Sequence, residues 1–326
     1  MKNKRHKILV LGATGFIGRN ILEKISKNKN YKIYAINFNS DKIKIPDVIW
    51  YKCDLRNPLK IKKILKGTNI VIQAAATTSG SSDIVNRPYI HATDNAVMNS
   101  YILREIYNLK IQHFIFFSCT VMYHSSKKAL KEQDFNPNKN IFPKYFGVAH
   151  TKLFIEKMCE FYSQICETKF TIIRHSNIYG QYDKFDLNRS HFFGATISKV
   201  MKSQNKIIVW GEGKEKRDLL HVNDLVNFVE KVIKNQKNNF EIFNVGSGKA
   251  YSVKEIVKKI IKISGKNIQI QFDKSKPNIK TSLFLDYSKS KKLLNWYPKV
   301  SIEEGIISTI KWWKKNIDIK TLKIKK

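Results

Sequence analysis

An apolar run from Ile8 to Leu11 leads directly into Gly12, Gly15 and Gly18, and a helical pattern follows from Arg19 to Lys27. Strand, glycine turn and helix in that order constrain this chain more than any other feature. The unpaired N–H groups and positive dipole end of such a helix favour an anion, and glycines let a pyrophosphate come close to the backbone. The spacing is G-x-x-G-x-x-G within GATGFIG at 12–18. Three glycines also occur in ordinary loops, but the order of the elements points to a dinucleotide site.

Further strands read at Lys32–Asn37, Val48–Cys53, Asn69–Ala74 and His113–Ser118. A helix over Thr93–Leu109 is expected to carry Val97, Tyr101, Ile102 and Ile106 on one face. Strands alternating with helices indicate βαβ units, hence an α/β fold with a Rossmann-type, doubly wound parallel sheet. A carboxylate at the end of the second strand would bond the adenosine ribose of NAD, but Asn37 stands there, followed by Phe38, Asn39 and Ser40. A ribose 2′-phosphate is then not repelled, so NADP is slightly preferred over NAD, with Arg19 near enough to help. Asp54 and Leu55 end the third strand, where the Asp meets the adenine edge or caps the next helix. Ala74, Ala75 and Ala76 end the fourth and leave room for a cofactor.

A chain of 326 residues suggests two domains, and its 42% hydrophobic content decides against disorder. No apolar run approaches the roughly 20 residues that cross a membrane, and the one at Ile8 is too short for a signal peptide, so a cytoplasmic location is expected. Cys53, Cys119, Cys159 and Cys166 form no C-x-x-C pair, which suggests neither a disulfide framework nor a metal site. The net charge of +34 comes mostly from lysines scattered through every segment. That pattern reads as solvated faces, not a nucleic-acid stripe, and its diffuse field would attract a small anionic substrate.

Chemistry concentrates in two stretches: SCTVMY at 118–123, rich in hydroxyls, and KYFGVAHTKLFIE at 144–156. Tyr145 and Lys152 lie seven residues apart, within roughly 20° of one helical face but separated by about 10.5 Å of rise, against about 6 Å for a spacing of four.

The chain resembles the extended short-chain dehydrogenases/reductases of the NAD-dependent epimerase/dehydratase group, which act on nucleotide sugars, and is nearest in pattern to the fucose synthase branch. The resemblance rests on an ordered series: GATGFIG at 12–18, DLR at 54–56, AAA at 74–76, FFSCTVMY at 116–123, Lys152 before FIE, RHSNIYGQYDKFDLNRSHFFGA at 174–195, RDLLHVNDL at 217–225, FNVGSGKAYSVKE at 243–255 and LDYSKSKKLLNWYPKVSIEEGI at 285–306. It implies a cofactor site at Gly12, Thr14, Gly15, Phe16, Ile17 and Gly18, with Asn37, Asp54, Leu55, Ala74 to Ala76 and Lys152. It also implies a tyrosine, a lysine and a serine or threonine that exchange protons beside the nicotinamide.

Three departures stand out. The family's hydroxyl position holds Cys119, so Thr120, or else Ser118, is expected to supply that group. Y-x-x-x-K is replaced by the longer Tyr145 to Lys152 spacing, and Tyr145 is expected to reach the site through a widened turn of Tyr145, Phe146 and Gly147 before the helix. The Cys and His used for epimerisation in the fucose synthase branch are replaced by Val121 and Tyr182, and the dehydratase Asp-Glu pair by Val121-Met122. What remains is a 4-keto reductase or 4-epimerase of a nucleotide-diphosphate sugar, in surface-polysaccharide sugar synthesis. The other reading is a cofactor-binding homologue with altered catalysis that serves as a partner or sensor.

The expected domains are 1–174 for the cofactor and 175–326 for the substrate, with interleaving allowed. In the second, helices are expected at His191–Lys202, Val222–Lys234 and Ser252–Ser264 and a strand at Glu241–Asn244. The resemblance places Asn177, Arg217 and Lys280 at the nucleotide sugar; Arg217 could instead pair with Asp218 or Asp224. His191 and His221 read as packing or capping residues, and Trp312 and Trp313 as a docking stripe. A homodimer through the helices at 93–109 and 148–166 is implied by the same resemblance.

Overall fold

The computed structural model describes residues 5–77, 87–187, 190–275 and 281–318. Seven strands form one parallel sheet in the order β11-β6-β5-β4-β1-β2-β3. They are β1 (His6–Leu11), β2 (Tyr31–Asn37), β3 (Val48–Lys52), β4 (Ile70–Gln73), β5 (His113–Phe117), β6 (Lys169–His175) and β11 (Phe240–Val245). Side chains alternate across these strands, so Ile8, Val10, Ile115 and Phe117 enter one core, whereas Leu9, Leu11, Phe114 and Phe116 enter the other. On the first face lie α1 (Phe16–Ile25) and α6 (Val222–Asn235). The second is covered by α2 (Pro58–Leu65), α3 (Thr93–Asn108) and α4 (Phe146–Ile165). Apolar strands with no polar side are what two helical layers require.

The expected face of α3 is shifted by about one position. Met98, Ile102, Leu103 and Ile106 are buried, while Val97 is 37% exposed. At about 100° per residue, Val97 and Ile102 lie on different sides of the helix, and the sheet takes the side with more apolar volume.

A third core unites the rest of the chain around Tyr179, Phe193, Ile197, Ile256, Ile260, Ile306 and Trp313. It is built from α5 (Phe192–Lys202), α7 (Val253–Ser264) and α9 (Ile302–Trp313), with the strand pairs β7 (Asn177–Tyr179) with β10 (Leu219–His221), β8 (Lys206–Trp210) with β13 (Gln269–Asp273), and β9 (Lys216–Arg217) with β12 (Tyr251–Ser252). A short α8 (Ser288–Leu294) lies between the last strand and α9. The two bodies interleave: β11, expected in the second, pairs with β6 from Phe240↔Phe170 to Val245↔His175 and becomes the outer strand of the main sheet. Among the described residues no helix is long and apolar enough to cross a membrane.

The expected capping role of His221 holds, and local signals fix two further termini. His221 caps α6 by accepting from the Asn223 N–H, and Ser252 and Ser301 form capping boxes with Glu255 and Glu304. Trp313 is buried in the third core, and Trp312 packs against Tyr182 and Phe185.

Candidate active site

The glycine turn lies where the order of strands reverses, between β1 and β4. Gly12 has φ +70°, and a Cβ there would lie 2.6 Å from the backbone of Ala75. A Cβ on Gly18 would lie 2.2 Å from the Gly12 carbonyl oxygen. The turn is thus closed onto the end of β4 as tightly as backbone permits, and the alanines at 74–76 are neighbours of the site. Gly15 caps α1 without a side-chain hydrogen bond, and the first turn holds no acidic residue. Its N–H groups are left to an anion, so these residues fit a dinucleotide with Thr14, Phe16 and Ile17 beside the turn.

At the end of β2 the Asn37 amide donates to the Ser40 carbonyl at 2.8 Å, and the Ser40 and Thr14 hydroxyls meet at 2.7 Å. Asp54 is held by Arg56, whose Nη2 lies 2.9 Å from its carboxylate and keeps it below the usual carboxylate range. The cap of α2 is Asn57, which accepts from the Lys60 N–H, and Leu55 enters the core. Arg19 turns away from this rim. Its guanidinium stacks 3.6 Å from the centre of the Tyr182 ring and its Nε bonds Glu23.

The floor of the catalytic side is a buried charged network. Glu156 of α4 and Arg174 of β6 are 3% and 5% exposed and joined by Nη2 at 2.6 Å and Nε at 3.1 Å. The Ser118 hydroxyl donates to the same carboxylate, which engages it in the floor instead of the open pocket. Arg174 also donates to the Tyr123 hydroxyl, which donates to Asn244. An arginine near the end of a largely apolar strand, KFTIIRH, and a carboxylate on the buried side of a helix were the signal in the sequence for this pair.

One helical turn from Glu156, Lys152 donates to the Phe117 carbonyl at 2.7 Å and lies 4.6 Å from the centre of the Phe116 ring. Burial lowers its proton affinity, and Cys119 and Glu156 oppose that. Cys119 faces Lys152, and burial raises its thiol. Tyr145 ends a short 3₁₀ turn, Pro143–Tyr145, and caps α4; the helix begins at Phe146, so Phe146 and Gly147 are helical and not part of a widened turn, and the turn that precedes the helix lies on the N-terminal side of Tyr145. Its ring shares a pocket with Thr120, Asn177, Lys216, Arg217 and Thr281.

Arg217 is anchored by donating to the carbonyls of Lys216 and Thr281. Its neighbour Asp218 instead accepts from Ser247 and Leu285, and Asp224 accepts from the Val300 N–H. Asn177 donates to the Asp218 carbonyl at 3.2 Å. Val121 lies in this pocket, whereas Tyr182 is held between Arg19 and Trp312. Lys280 lies outside the described residues. Sequence reasoning missed His175, at the end of β6, pushed down to about 4 by burial with Lys152 nearby. The four cysteines are free, and the described residues include no cluster suited to a metal.

The family model of the NAD dependent epimerase/dehydratase family matches residues 8–246, which include nearly all of the main sheet and the pocket residues from Thr120 to Arg217. The chain belongs to that family. It is an enzyme of the extended short-chain dehydrogenase/reductase type. Among family relatives, it is 28% identical over 314 residues to GDP-L-colitose synthase of Yersinia pseudotuberculosis, covering 94% of this chain and 97% of that one. It is 28% identical over 321 residues to the putative UDP-glucose 4-epimerase of Methanocaldococcus jannaschii, covering 95% and 99%. The fold matches the UDP-glucose 4-epimerase of Thermotoga maritima with a TM-score of 0.85 at 23% identity, covering 95% of this chain and 99% of that chain.

Proposed function

We propose that this chain acts at C4 of a nucleotide-activated sugar, as a 4-epimerase or a 4-keto reductase, with Tyr145 exchanging the proton of the sugar hydroxyl. The observation that carries this reading is the pocket shared by Tyr145, Thr120, Asn177 and Arg217. NAD(P), when bound, supplies the hydride acceptor or donor. The chain's own groups do the rest: Arg217 and Asn177 hold the nucleotide sugar, Thr120 bonds the sugar oxygen, and Tyr145 takes or returns its proton. The relatives act on GDP- and UDP-sugars by name, which supports the substrate class. Tyr145 lining the pocket favours an enzyme over a sensor.

The missing carboxylate at Asn37 favours NADP, and because Arg19 is engaged by Tyr182 and Glu23, that preference rests on the β2 rim alone. Four free cysteines fit a reducing cytoplasm. Phe154, Phe161 and Ile165 are exposed at i, i+7 and i+11 on α4, one apolar face suited to pairing with a second copy.

The test is turnover. The protein is incubated with UDP-glucose and UDP-glucuronate plus NAD, and with a GDP-4-keto-6-deoxy sugar plus NADPH or NADH. One of these is expected to be converted, and Tyr145→Phe to lose about 10²–10⁴ of the rate. No conversion of any of them, or full activity in Tyr145→Phe, overturns the reading.

A further inference from the structure

We propose that Arg217, which lines the same pocket as Tyr145, is the cation that sets the proton affinity of Tyr145, in place of Lys152, which does not line that pocket and is bonded to the sheet. The inference deepens the assignment of Tyr145 as the acid–base group and rests on it. Tyr145 caps α4 and Lys152 follows seven residues later, about 10.5 Å along the axis. The residue one turn before Lys152, where a phenol would come close to the ammonium, is Val148. Lys152 is moreover directed at the sheet: its ammonium bonds the Phe117 carbonyl at 2.7 Å and covers the Phe116 ring.

Arg217 stands differently. It lines the same pocket as Tyr145, and two backbone carbonyls, of Lys216 and Thr281, fix its guanidinium. A fixed cation beside a half-buried phenol favours the phenolate, because the opposite charge stabilises only the ionised form. The electrostatics agree: burial pushes the Tyr145 phenol up, Arg217 pulls it down and Cys119 pushes it up.

The other titratable groups around Tyr145 can be named element by element. Lys216 on β9 lines the pocket with Arg217, and Glu215 flanks Arg217. Cys119 and Tyr123 follow β5, and burial holds both toward their neutral forms. Lys144 precedes Tyr145 and is exposed. No carboxylate lines the pocket among the described residues. The acid–base group is thus assembled from both bodies of the fold, a phenol from the cofactor side and a cation from β9.

The experiment follows the Tyr145 phenol itself in the full chain. The ring ζ-carbon is observed by NMR in protein labelled with ¹³C-tyrosine, the resonance being assigned by its loss in Tyr145→Phe. Its titration midpoint is measured in the wild type, Arg217→Gln, Arg217→Lys and Lys152→Met, with circular dichroism confirming the fold. Arg217→Gln is expected to raise the midpoint by about one pH unit. Arg217→Lys, which retains the charge, recovers most of that shift, and Lys152→Met moves the midpoint by less than half as much as Arg217→Gln. Arg217→Met replaces the Gln variant if that variant does not fold. An equal or larger shift in Lys152→Met, or no shift on removing the Arg217 charge, overturns the proposal. The readout needs no turnover, so a catalytically silent protein that shows the Arg217 shift refutes the proposed activity and leaves this inference standing.

Discussion

Asp183 offers a sharp quantitative test. It is 7% exposed, its Oδ1 accepts the Lys184 N–H at 2.7 Å, and its Oδ2 is buried without a hydrogen-bond partner. A Cβ on Gly194 of α5 would lie 3.2 Å from that oxygen, so the carboxyl is wedged under the start of the helix. Desolvation raises its pKa from 3.8 to about 7. A folded-state pKa above the unfolded one means that protonation favours folding. The group's contribution to stability is therefore fully present below pH 3.8 and is lost as the pH rises through about 7.

With 1.36 kcal/mol per pKa unit, ionisation of Asp183 destabilises the fold by about 2 kcal/mol at pH 5.5 and about 4 kcal/mol at pH 8. Asp183→Asn keeps the shape and removes the charge. Urea unfolding of both proteins at pH 4, 5.5 and 8 is expected to show the variant gaining on the wild type by these amounts as the pH rises. The amide's own hydrogen bonds alter the offset equally at every pH, so the slope is the diagnostic. A difference independent of pH, or one that moves against the variant as the pH rises, refutes the argument that the carboxyl is buried without compensation.

His113 carries the opposite sign. It is 3% exposed beside the Thr171 hydroxyl and depressed by burial from 6.5 to about 3, so its contribution is present above pH 6.5 and lost as the pH falls toward about 3. Relative to His113→Gln, the wild type should lose about 2 kcal/mol between pH 7 and pH 5, read by the same urea titrations. Gly18→Ala must displace the Gly12 carbonyl, since its Cβ would lie 2.2 Å from that oxygen, and is expected to destabilise by about 1–3 kcal/mol and to weaken cofactor binding. Gly147→Ala, in the first turn of α4 with no atom within 4 Å of the new Cβ, is the control; thermal melting should show it gaining on the order of 0.5 kcal/mol.

Much of the cofactor half was legible because its signals are local. Ile8 to Gly18 contain both the strand and the turn that follows it, whereas β4 and β5 are apolar on both sides and only the packed layers decide which core each residue enters. The face of α3 was read less well, because Val97 and Met98 are equally apolar and only the packed sheet distinguishes them. The preference for Thr120 over Ser118 came from the resemblance, and its physical reason is tertiary. Ser118 is engaged by Glu156, 38 residues away, whereas Thr120 lines the pocket.

By itself, the sequence determined the doubly wound sheet and the dinucleotide turn, since periodicity, glycine spacing and strand length act over a few residues and need no distant partner. Only the tertiary structure decided that β11 joins the main sheet, that Glu156 and Arg174 form its buried ion pair, that Arg19 serves Tyr182 instead of the cofactor rim, and that Tyr145 and Arg217 line one pocket. Each of those outcomes depends on burial and on contacts between distant segments, where the cost of desolvating a charge and the room left by neighbouring side chains select one partner among several that the chain offers.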